Sequence, residues 1–64
     1  MTSNLTLAAN ERRMAFSYLG LAANWERWGE PETAAVRRAW AAECFRAEAR
    51  LRREASIPVL DAHS

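Results

Sequence analysis

Trp28-Gly29-Glu30-Pro31 is the one strong interruption between two long stretches that read as helix. Glycine suits the left-handed position just past a helix C-terminus. Proline suits the first turn of a following helix, where its missing N–H is not needed. The chain is therefore expected to fold back once, near its middle. The first helix is predicted from about residue 5 to 28, starting at Asn4 or Leu5, the turn at 29–30 and the second helix from about 31 to 56. A connection this short makes the two helices antiparallel neighbours. The Ile57-Pro58 step ends the second helix, because a residue before proline avoids the α region. Of the remaining tail, 57–60 is apolar and is expected either to cap the bundle over Leu5 and Leu7 or to be offered to a partner as a linear peptide, with Asp61–Ser64 disordered.

The composition limits what such a hairpin can be. Sixty-four residues make at most one small domain, and chains this short need something beyond their own core for stability. Cys44 is the only cysteine and His63 the only histidine, so neither a disulfide nor a metal site is expected. Oligomerisation is the common remaining route. No apolar run reaches the ~18–20 residues that cross a bilayer. The N-terminus lacks a basic segment followed by an apolar block, and the lone thiol suits a reducing compartment, so the expected location is cytoplasmic, without membrane attachment. All nine basic residues are arginine, yet the net charge is only +1.

Along the first helix Leu7, Met14, Leu21 and Trp28 recur every seven residues, with Glu11, Tyr18 and Trp25 at the intervening positions. This row is predicted to face the second helix. Leu5, Ala8, Ala15, Phe16, Leu19, Ala22 and Ala23 form a second group to one side. The corresponding seam of the second helix reads Val36, Trp40, Cys44, Ala47, Leu51 and Ala55, with Phe45, Ala34 and Ala41 off it. In a tight hairpin, residues whose numbers sum to about 61 face each other, which sets large against small at several levels. One such interface cannot also cover Phe16, Leu19, Leu5 and Phe45. A second copy would, giving a two-fold antiparallel four-helix bundle. The fold class expected is thus all-α, a two-helix hairpin that dimerises.

Glu11 breaks the apolar row, and the register sets it opposite Arg50 with Arg12 and Glu48 nearby, a polar layer that would fix register. The alternative roles, general base or metal ligand, lack companion residues. Gly20 costs about 1 kcal/mol relative to alanine within a helix; it reads either as a notch for a partner or as a tolerated exposed glycine. Trp25 and Trp40 are read as core, and Trp28 as partly exposed. Cys44 is read as a small buried hydrophobe with no histidine to activate it.

Arg37, Arg38, Arg46, Arg50, Arg52 and Arg53 suggest nucleic acid, but Glu32, Glu43, Glu48 and Glu54 are interleaved with them. No catalytic constellation and no cofactor motif is present. The expected function is that of a small non-catalytic protein-binding regulator or inhibitor of bacterial or phage origin. Its partners would be a second copy of itself and another protein, and its contact residues Phe16, Leu19, Gly20, Trp28 and Phe45. The alternative is a nucleic-acid-binding regulator using Arg38, Arg46 and Arg53.

Overall fold

In a computed structural model, which describes residues 3–56, the chain forms two α-helices, α1 over Asn4–Arg27 and α2 over Pro31–Ser56, packed against each other as a hairpin. The tail 57–64, including the apolar stretch 57–60, lies outside the described residues. The Ser3 side chain caps α1 by accepting the Thr6 backbone N–H at 3.1 Å.

The turn is as short as its residues suggest. α1 stops one residue early, with Trp28 as its C-cap. Gly29 then adopts φ +79°, the left-handed value that a side chain would strain. The Gly29 N–H donates to the Glu26 carbonyl at 3.0 Å, and the Glu30 N–H donates to the Trp25 carbonyl at 2.8 Å. This pair of bonds is the Schellman closure, which satisfies carbonyls the helix end would otherwise orphan. Glu30 belongs to both helices, because its own carbonyl accepts the Ala34 N–H at 3.1 Å and so begins α2. Pro31 follows as the first helical residue, where it loses no hydrogen bond.

The register agrees with the sequence, but both helices are rotated from the expected faces. Phe16 meets Phe45, Arg12 meets Glu48 and Tyr18 meets Trp40 across the hairpin. The buried row of α1, however, is Ala8, Ala15 and Ala22. In α2 it is Ala34, Ala41 and Glu48, with Cys44 beside them. Leu7, Met14, Leu21, Val36 and Trp40, expected inside, are between 39% and 46% exposed, and Trp28, expected to be partly exposed, is 67% exposed. The cause is steric. Alanine rows on both helices let the backbones approach closely, and the larger side chains one position away, about 100° around each helix, are turned outward onto the flanks. Among the described residues, no large side chain is fully buried.

Two further expectations are corrected. Phe16 and Phe45 are not unpartnered within one hairpin, since their rings meet edge to face with centroids 5.4 Å apart. They can do so because Phe45 lies beside the alanine row and packs on the core cluster of Ala15, Ala41 and Cys44. Nor does Glu11 form an ion pair with Arg50. The buried carboxylate is Glu48, seven residues after Ala41 and 7% exposed, held by Arg52 at 3.0 Å and Arg12 at 3.7 Å. The rotation that buries the alanines moves Glu11 toward the rim and brings Glu48 into the seam in its place.

Candidate interaction surface

With Ala8, Ala15 and Ala22 facing α2, the heptad positions of α1 divide into two flanks. One flank carries Leu7, Met14, Leu21 and Trp28, joined by Tyr18 and Trp25 nearer the seam. From α2 the same flank receives Arg37, Trp40, Cys44, Ala47 and Leu51. Tyr18 meets Trp40 of α2 edge to face at 5.5 Å across this flank, and Trp25 meets Trp28 at 5.2 Å at the end of α1. Val36 lies one turn from Trp40 at the rim. This flank holds six of the large exposed apolar side chains.

The opposite flank is smaller and more charged. It presents Leu5, Phe16 and Leu19 from α1 and Phe45 from α2, and Arg12 lies over the Phe16 ring at 5.0 Å. Ion pairs bracket the apolar centre, Arg12–Glu48–Arg52 on one side and Glu26–Arg38 on the other. Gly20 stands at the outer edge of this flank with no atom within 4 Å of where a Cβ would sit. Of the contact residues read from the sequence, the fold therefore gathers Phe16, Leu19, Gly20 and Phe45. It places Trp28 on the other flank, at the turn, where it is the most exposed of the large apolar residues at 67%.

Four of the nine arginines, Arg12, Arg38, Arg46 and Arg52, pair with glutamates, whereas Arg53 forms no ion pair with a described residue. Arg38 pairs with Glu26, and Arg46 pairs with Glu43 on its own helix. Such exposed pairs contribute little to stability, but they neutralise arginines that a phosphate backbone would need free. Two groups on the broader flank are different. Arg37 lies over the Trp40 ring, 4.4 Å from its centroid, and its Nε is buried with no hydrogen-bond acceptor. Glu11 is half-buried beside the Cys44 thiol and forms no ion pair with any described residue.

Burial pushes the Cys44 thiol above its ordinary 9.0, and the adjacent Glu11 and Glu43 carboxylates push it further in the same direction. Such a thiol is protonated and unreactive near neutral pH. Glu11, Met14, Cys44, Ala47 and Arg50 line an open cleft of about 400 Å³ on this flank. Among the described residues no three His, Cys, Asp or Glu side chains converge as metal ligands would. No described helix is long and apolar enough to cross a membrane.

The sequence reading placed Arg12 and Glu48 in one polar layer but took Glu11 and not Glu48 as its buried carboxylate, and it missed the Arg37–Trp40 stack. The available signal was the seven-residue spacing Ala34, Ala41, Glu48, which marks the seam of α2. Compared with known protein families, curated proteins and solved structures, the chain matches none.

Proposed function

We propose that this chain is a small non-catalytic protein-binding regulator or inhibitor, and that it works as a dimer of hairpins forming a four-helix bundle. The observation that carries this reading is the distribution of apolar surface. The seam is filled by alanine and cysteine, while nine large apolar side chains stand at least 36% exposed on the two flanks. Apolar surface of this extent marks contact with another macromolecule. The broader flank takes a second copy. The narrower flank, with Phe16, Leu19, Phe45 and the open edge at Gly20, contacts the protein partner, while Trp28 falls on the broader flank with the second copy.

Two measurements test the proposal. Sedimentation equilibrium at micromolar concentration is expected to return a dimer; a monomer near 7.2 kDa would overturn that part. Affinity capture from the source cells is then compared between the wild type and a Phe16→Asp/Leu19→Asp variant of matched helicity. A protein retained by the wild type, lost from the variant and indifferent to salt supports the reading. Nucleic acid retained instead, released by salt and by Arg38→Ala with Arg46→Ala and Arg53→Ala, replaces it with the charged-ligand alternative.

A further inference from the structure

We infer that the broader flank docks a second copy of this chain with its turn at the opposite end of the bundle, so that Glu11 of each copy pairs with Arg37 of the other. The inference rests on the dimer proposed above and adds its orientation and its recognition pair. Within one hairpin the residues that border the seam on this flank form three layers, seven residues apart. By backbone position Glu11 shares a layer with Leu51, Tyr18 with Cys44, and Trp25 with Arg37, and the Glu11 side chain extends from its layer to lie beside the Cys44 thiol. At 1.5 Å per residue the layers are about 10 Å apart, which leaves Glu11 and Arg37 of one chain about 20 Å from each other at the backbone. They cannot pair within a hairpin, and neither has an ionic partner among the described residues.

A two-fold axis through the Tyr18 and Cys44 layer, perpendicular to the helices, reverses the order of the layers in the second copy. Glu11 then shares a layer with Arg37 of the other chain, and each copy supplies both halves of the pair. The carboxylate is the type of acceptor that the buried Arg37 Nε lacks. The same axis matches the apolar rows. Leu7 falls opposite Trp28, Met14 opposite Leu21 and Trp40 opposite Ala47, the last setting a large side chain against a small one. The helices also overlap well, because Cys44 stands near the middle of α2 (Pro31–Ser56).

The other two-fold arrangement, with both turns at one end, keeps the layers in order. It sets Glu11 against Glu11 in one layer and Arg37 against Arg37 in another. Like charges confined in a low-dielectric core repel strongly, so this arrangement is disfavoured by the same residues that recommend the first.

The test uses the full chain in sedimentation equilibrium and disulfide trapping. Glu11→Arg and Arg37→Glu are each expected to weaken the dimer by about tenfold or more, and the double exchange to restore it to within about threefold, because only the pair between copies is rebuilt. If the charge reversals lose helicity on circular dichroism, Glu11→Gln and Arg37→Gln replace them, with coupling between the two required. In a Cys44→Ala background, Glu30→Cys is expected to give no disulfide-linked dimer, since opposite turns stand about 40 Å apart and a disulfide needs Cα atoms within about 7 Å. A wild-type dimer whose double exchange stays weak, or which links efficiently through residue 30, overturns the orientation alone. A wild-type monomer overturns both the orientation and the dimer reading.

Discussion

Replacing Ala15 by leucine tests the alanine seam most directly. Ala15 is 0% exposed and touches the core cluster with Ala41 and Cys44, while Tyr18 and Phe45 close it from the two sides. There is no room for three further carbons unless the helices separate. Overpacking of this kind costs about 1–3 kcal/mol. The cost falls toward the upper end here, because separation also loosens the Phe16–Phe45 and Tyr18–Trp40 edge contacts, whose centroids are 5.4 and 5.5 Å apart. A domain of this length has a total stability of roughly 3–10 kcal/mol, so the loss is a large share of it. It should appear as a fall in melting temperature of about 5–20 °C. Met14→Ala supplies the contrast. Met14 is 46% exposed, so truncation should cost under about 1.5 kcal/mol within the hairpin, with any further loss depending on protein concentration. Thermal and urea melts followed by circular dichroism, at several concentrations, measure both. If Ala15→Leu is neutral or stabilising and Met14→Ala costs about 2–5 kcal/mol at every concentration, the helices face each other through the leucine row and the alanine seam is wrong.

Removing both cations from Glu48, as Arg12→Ala with Arg52→Ala, should destabilise by about 1–3 kcal/mol by stranding a buried carboxylate; adding Glu48→Leu should then recover part of the loss, and a failure to recover any would show that Glu48 is not the constrained group. Gly29→Ala should cost about 1 kcal/mol through the left-handed backbone at φ +79°, and chemical denaturation giving no loss would mean the turn relaxes to another conformation. Cys44 in the folded chain should react with iodoacetamide much more slowly than in urea at pH 8, and equal rates would show that the thiol is not buried. Because the folded thiol titrates above 9.0, the neutral form is the one folding favours, so its contribution to stability is constant below pH 9.0 and is lost as pH rises beyond it; Cys44→Ser should abolish that alkaline slope.

The turn was legible because its chemistry is local. Gly29 and Pro31 each suit one backbone position, and the structure uses both there. The helix facing was not, because two heptad rows run one position apart in α1, Leu7-Met14-Leu21-Trp28 and Ala8-Ala15-Ala22. Hydrophobicity favours the first row and close approach favours the second. A reading weighted by side-chain size selects the wrong one, whereas alanine recurring at the same spacing on both helices marks the right one. The error carried over to the polar layer. Glu11 stands out against a leucine background and so reads as the buried member of the polar layer, whereas Glu48, which follows Ala34 and Ala41 at the seam spacing, is the carboxylate that is buried.

The rotation also changes what the large side chains are for. Had Leu7, Met14, Leu21 and Trp40 filled the hairpin, the surplus would have been Phe16, Leu19 and Phe45, and one flank would have had to serve both the second copy and a partner. With alanine in the seam, the two duties proposed above are assigned to two separate flanks. On the dimer proposed above, the broader flank supplies most of the large apolar burial, so folding and association are coupled, as they are in many obligate dimers. Substitutions at Met14 or Leu21 should then lower helicity and dimerisation together and weaken any partner binding only through them. Substitutions at Leu19 should leave both unchanged and act on the partner alone. That separation is what a single shared flank could not produce.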